Sequence, residues 1–215
     1  MERGKFITFE GGEGCGKSTQ IRMLSEALAA MGIRTVVTRE PGGTRLSELV
    51  RGLLKDETED PPCDRAELLL FLAARAQLVR EVIEPALDEG AWVLSDRFSD
   101  STFAYQGYGR GLPLDVIRVA NDFACAGLKP DLTMLLEVDP VVAKARMRGR
   151  EAKTNTSADR IESAGDGFHE RLRKGFIEMA AAEPSRIVRI DASPAPDEVA
   201  RKILAVCEER FWRAK

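Results

Sequence analysis

The stretch GGEGCGKST, residues 11–19, sets Gly11 and Gly16 around four residues and follows them with Lys17 and Ser18. Loops of this pattern wrap phosphate oxygens in backbone N–H groups, with the lysine near the outer phosphates and the hydroxyl near a metal ion. Glycines suit it because a side chain would clash at the positive φ values and close backbone approach required. The flanks agree. Lys5–Glu10 is a short apolar run suited to a strand, while Ile21, Leu24, Leu28 and Met31 are spaced 3, 4 and 3 and predict one apolar helix face. A helix starting at the loop adds its dipole and unpaired N–H groups to an anion site. Gly11, Gly12, Glu13, Gly14, Cys15, Gly16, Lys17, Ser18 and Thr19 are therefore the candidate cradle of a nucleoside triphosphate.

Outward from this loop, four more strand-like runs are expected at 34–39, 92–96, 132–138 and 186–191, separated by helical patterns. Short apolar strands alternating with helices predict an α/β fold, a five-stranded parallel sheet with helices on both faces. Helix punctuation fits: Asp64 with Glu67 reads as a capping box, Asp139-Pro140 as an N-cap followed by proline, and Gly32 as a stop. Only GREAKTNTSADR, residues 149–160, breaks the order, being polar and aperiodic, and reads as a mobile segment.

Composition bounds the rest. A chain of 215 residues with 44% hydrophobic and 31% charged residues makes one globular domain, 1–215. A net charge of −3 with mixed signs argues against a nucleic-acid partner. No apolar run reaches the ~18 residues of a membrane span. The N-terminus runs straight into the first strand, so no signal peptide is expected, and a cytoplasmic protein is. Four cysteines stand far apart, which suggests neither zinc nor a disulfide framework, and the lone histidine, His169, is expected to be structural.

In such sheets ligands gather at the carboxyl ends of the strands. Strand two leads into Arg39-Glu40-Pro41, whose following glycines let a backbone approach a ligand, and strand three into Asp96-Arg97. Arg39 and Arg97 suit a second phosphate group, and Asp96 with Ser18 suits magnesium. A GTPase switch would need Asn-Lys-x-Asp and Asp-x-x-Gly, which are absent, and a motor would need further domains. A small phosphotransferase needs a donor site, an acceptor site and a water-excluding lid. Residues 146–160, with Arg146, Arg148, Arg150 and Arg160, have a lid's composition.

FEGGEGCGKST, TREPGGT, LLFLAARAQ, DRFSDSTFAYQG and DRIE, in this order across nearly the whole chain, resemble the bacterial thymidylate kinase family. The resemblance implies a P-loop kinase fold with a lid, transfer of the γ-phosphate of ATP to dTMP with Mg2+ on the way to dTTP, and a homodimer. It also implies that Phe71 stacks on thymine, Arg75 donates to its O4 and Thr102 faces N3, with Ser101, Gln106 and Pro41 in the same site. Tyr105 then fills the place of a ribose 2′-OH, and Glu13 lies near the reacting phosphates. Some members carry a basic residue where this chain has Gly14, so the catalytic charge is expected from the lid, from Arg160 of DRIE before Arg150. A kinase for another base, or an idle nucleotide-binding protein, remains an alternative that an assay with different monophosphates separates.

Overall fold

The computed structural model describes residues 2–55, 61–154 and 165–212, with backbone alone for 150–154 and 166. Five strands, β1 (Phe6–Glu10), β2 (Thr35–Arg39), β3 (Trp92–Asp96), β4 (Leu132–Glu137) and β5 (Ile187–Asp191), lie within one residue of the expected runs. All pair in parallel, in the order β2-β3-β1-β4-β5, so the strand bearing the phosphate loop is central. Every residue of β1 is buried, as a strand covered on both faces requires.

Alternation along β1 assigns the layers. Ile7 and Phe9 pack with Leu24 and Leu28 of α1 (Lys17–Ala30) and with Val199 and Ile203 of α9 (Pro196–Phe211). Phe6 faces the other way, toward Leu78 at the end of α3 (Asp64–Leu78), Ile83 and Leu87. The chain from α3 continues through a π-helical turn, Val79–Ile83, into α4 (Glu84–Asp88). On this second face α5 (Ser99–Thr102) also runs into a π-helical turn, Phe103–Gly109, against which α8 (Asp166–Ala182) packs. Two further helices, α2 (Arg45–Lys55) and α6 (Leu114–Ala124), pack on α3. Burial of side chains such as Ile7, Phe9 and Leu94 contributes roughly 1.5–3 kcal/mol each.

Some local expectations fail for identifiable reasons. Met31 lies just past the end of α1 and is exposed, because the helix stops before Gly32, which takes φ +77°. The capping box of Asp64 and Glu67 does not form: Cys63 is the N-cap and Glu67 turns to tertiary partners. Asp139 does cap α7 (Pro140–Thr154), accepting a hydrogen bond from Val141 N at 2.8 Å. That helix runs on through Gly149 to Thr154, so the first half of the segment read as mobile is helical. Residues 155–160, Arg160 among them, lie outside the described residues. Among the described residues no helix is long and apolar enough to cross a membrane.

Candidate active site

At the carboxyl ends of β1, β2 and β3 a cleft of about 620 Å³ joins the phosphate loop to α3 and the π-helical turn. Glu13, Gly14, Gly16, Lys17, Ser18 and Thr19 line it on one side, with Arg39 and Pro41 beside them. Phe71, Arg75, Asp96, Arg97, Ser101, Thr102, Tyr105 and Gln106 complete the wall. Gly11, Gly12 and Cys15 belong to the same loop but do not line the cleft, and the side chains of Arg150 and Arg160 are not described. Glu40, Arg51, Leu54, Lys55 and Arg146 also line the cleft, unforeseen as acceptor-site residues. Arg51, Leu54 and Lys55 lie on one amphipathic helix, where a basic pair reads as a solvated face and gives no signal.

Lys17 is only 7% exposed; its Nζ donates to the carbonyls of Gly12 at 3.1 Å and Gly11 at 3.3 Å. Burial opposes its charge, but Cys15, Glu13 and Asp96 outweigh that and hold its pKa above the ordinary lysine value. Ser18 Oγ donates to Asp96 Oδ2 at 2.8 Å, which places a hydroxyl and a carboxylate together at the start of α1. Gly14 takes φ +71°, and a Cβ there would stand 2.6 Å from the carbonyl oxygen of Ala143 in α7. No side chain fits at that position without moving α7.

Arg97 adopts φ +75°, a costly conformation outside glycine, at the turn between β3 and α5. Its Nη1 donates to Gly11 O and to Ser101 Oγ, both at 3.1 Å, its Nη2 pairs with Glu13, and its guanidinium lies 4.9 Å over the Tyr105 ring. Burial works against its charge, yet Tyr105, Glu13, Asp96 and Glu10 hold its pKa well above the ordinary arginine value. Arg39, which lines the cleft, donates from Nη2 to both carboxylate oxygens of Glu48, at 2.9 Å and 3.0 Å.

Glu10, at the end of β1, is fully buried and bonded to the cleft residue Ser101, and the motif gave no reason to single it out. Its Oε1 accepts from Phe98 N at 2.8 Å and Ser101 N at 3.3 Å, and its Oε2 from Ser101 Oγ at 2.6 Å. It thus caps the helix that carries Ser101 and Thr102. Burial first, and then the charge of Asp100, push its pKa up to about 7 from 4.5. In the folded state it holds its proton more tightly than in the unfolded chain, so its contribution to stability is full below about pH 4.5 and is lost as pH rises toward 7. Glu10→Gln keeps an acceptor and removes the titration. The melting temperature of the variant should therefore gain on that of the wild type from about pH 5 to about pH 8. A difference that stays constant with pH would assign the titration elsewhere.

Arg75 is the largest fully buried side chain among the described residues, 1% exposed. Its Nε donates to both oxygens of Glu40, at 3.0 Å and 3.1 Å, and its Nη2 to Glu40 and to Phe98 O. Its Nη1 donates to Thr102 Oγ1 at 2.8 Å and to Asn121. Against burial, Glu40 keeps it charged. Every guanidinium nitrogen of Arg75 is thus engaged by the protein, and Thr102, which accepts from it, keeps a hydroxyl proton to donate. Phe71 is half-buried at the cleft wall, four residues before Arg75.

The family profile described as thymidylate kinase matches residues 9–203. A thymidylate kinase of Synechococcus sp. is 50% identical over 209 residues, covering 97% of this chain and 98% of its own. One from Dehalococcoides mccartyi is 48% identical over 198 residues, covering 92% and 93%. The crystal structure of thymidylate kinase from Ehrlichia chaffeensis matches with a TM-score of 0.76 at 34% identity, covering 95% of this chain and 99% of that one. With a parallel sheet, a phosphate loop and a facing acceptor wall in one cleft, the chain belongs to the thymidylate kinase family.

Proposed function

We propose that the protein transfers the γ-phosphoryl group of ATP to dTMP, giving dTDP, through the residues of this one cleft. The observation that supports it most is that Lys17 and Ser18 share the cleft with Arg97, Phe71, Thr102 and Tyr105. A triphosphate on the loop and a deoxynucleotide on the opposite wall can then meet. The test is ADP release with ATP, magnesium and a panel of nucleoside monophosphates. Turnover with dTMP is expected; turnover confined to another base, or none, would select an alternative.

The acceptor phosphate oxygen is already ionised at neutral pH, so no general base is needed, and the protein supplies position and charge. Lys17 follows the transferred group as a cation, while Arg39 and Arg97 fix the acceptor phosphate in line. Phe71 stacks on the base, Ser101, Thr102 and Gln106 meet its edge and sugar side, and Tyr105 closes the space of a 2′-OH. Pro41 shapes the wall beside them. Glu13, paired with Arg97, lies where the two nucleotides meet. A hard cation fits the oxygen pair of Ser18 and Asp96, and among the described residues no set of three metal-binding side chains replaces the phosphate oxygens as further ligands. Bound there, Mg2+ would neutralise phosphate charge.

The homodimer belongs to the same reading. On α6 Val116, Val119 and Phe123 form an exposed stripe, with Val119 72% and Phe123 90% exposed. On α2 Leu46, Leu49 and Leu53 form another, and α3, which packs on both helices, exposes Leu69. A patch of this kind marks an interface. The protein should sediment as a dimer and Phe123→Asp as a monomer; a wild-type monomer at assay concentrations would remove the dimer. The charged nucleotide substrates, which do not cross a membrane unaided, fit a cytoplasmic enzyme.

A further inference from the structure

We infer that Glu67 is a specificity-positioning residue: it fixes the side-chain amide of Gln106 so that the carbonyl oxygen, and not the amino group, is left to face a base in the cleft. The inference rests on the reading of that cleft as a dTMP site.

Gln106 sits in the π-helical turn after α5, is 1% exposed and lines the cleft. Its Nε2 donates to Glu67 Oε1 at 3.0 Å. Glu67, itself buried, also accepts from Arg110, from Nε at 3.3 Å and from Nη2 at 3.1 Å. Arg110 is held in turn over the Phe168 ring at 5.1 Å and beside Asp64 at 3.6 Å. A carboxylate paired with a guanidinium can only accept. The amino end of Gln106 must therefore point at Glu67, and its Oε1 is the end turned away. No described residue donates to that oxygen.

A lone glutamine amide can rotate by half a turn and offer a base either a donor or an acceptor. Glu67 removes that freedom. An acceptor held in a buried wall calls for a donor on the ligand, and leaving it unmatched is costly. Thymine carries such a donor at its ring N3–H, whereas cytosine presents a bare lone pair at N3. The fixed amide thus favours the first and sets lone pair against lone pair with the second. Thr102, whose oxygen takes an N–H from Arg75, has a proton to give to a neighbouring base carbonyl. Donor and acceptor together match the imide edge of thymine. This also accounts for a buried carboxylate at the fourth position of a helix where a capping role was expected: Glu67 serves the pocket and not the helix end.

The test compares the wild type with Glu67→Gln, Gln106→Met and the double variant. Dissociation constants for dTMP and dCMP are measured by calorimetry, with KM and kcat for dTMP alongside. The amide introduced by Glu67→Gln can either accept from or donate to Gln106, so both orientations of the Gln106 amide become available. The preference for dTMP over dCMP should fall about tenfold or more in Glu67→Gln, through the binding constants, with kcat for dTMP changing only a few-fold. Gln106→Met should lose preference as well, and adding Glu67→Gln to it should change the preference no further, because the amide is gone. Arg110→Gln, which acts on Glu67 from the outer side, should give a smaller fall in the same direction. An unchanged preference in Glu67→Gln and Arg110→Gln, with any loss shared equally by both nucleotides, would overturn the inference. So would an undiminished effect of Glu67→Gln in the Gln106→Met background. If the wild type does not turn over dTMP, the dTMP-site reading fails and takes the inference with it. If it does, an unchanged preference overturns the inference alone.

Discussion

Replacing Lys17 with Met is expected to slow phosphoryl transfer by ~10³-fold or more while leaving a folded protein. The stem of Lys17 is buried, and Met matches its length and apolar character. What is lost is Nζ, which holds the carbonyls of Gly11 and Gly12 and carries the only lysine charge on the loop. Its hydrogen bonds are to loop carbonyls and not to the sheet, so the strand order and the packing of α1 survive. In the proposed transfer this charge acts on the transferred group, where neutralisation matters most as the phosphoryl is in flight. Circular dichroism and turnover measured on the same preparation check both halves. A variant that loses its fold with its activity would show that the buried ammonium holds the loop in place.

The second large effect is expected in the lid. Gly14 cannot carry a cation, since a side chain there meets the backbone of Ala143. Arg146 lines the cleft, but its Nη1 and Nη2 are held by the carbonyls of Ala192 and Ser193, at 3.0 Å and 3.3 Å. We propose that the remaining positive charge for the transition state comes from beyond this point of α7. We propose Arg160 for it, with Arg150 as the other candidate. Arg160→Ala should lower kcat by at least ~10² while the dissociation constants of ATP and dTMP move only a few-fold, since the contact is made mainly in the transition state. Arg150→Ala is measured beside it. A large kcat loss in Arg150→Ala and none in Arg160→Ala would move the role to Arg150; no loss in either would remove the lid arginine from the mechanism. Gly14→Arg cannot rescue either variant without displacing α7.

Much of the architecture is legible because it is local. Strand, glycine loop and helix follow one another along the chain, and apolar runs locate all five strands within one residue. The acceptor wall is legible only through resemblance, since Arg75 and Thr102 lie 27 residues apart and no spacing joins them. Tertiary partners decided what the sequence left open or misled on. Glu67 has the spacing of a capping residue, but Gln106 and Arg110, about forty positions away, take its carboxylate. Glu10 reads as the last residue of an apolar strand, and only the fold brings Phe98 and Ser101 to it. The polar start of residues 149–160 lacks periodicity, yet α7 continues there, since helix extension needs one more hydrogen bond per residue and no buried face. Arg75 lines the cleft beside Phe71, but its buried pairing with Glu40, 35 positions away, has no trace in the local sequence.

The most direct test of the whole account is the release of ADP when the protein is given ATP and magnesium with dTMP, dUMP, dCMP, dAMP or dGMP in separate reactions. The residues around the cleft predict rapid turnover with dTMP, slow turnover or none with the cytosine and purine nucleotides, and little ADP without an acceptor. Comparable rates for a purine nucleotide, or ADP released equally fast without any monophosphate, would contradict it.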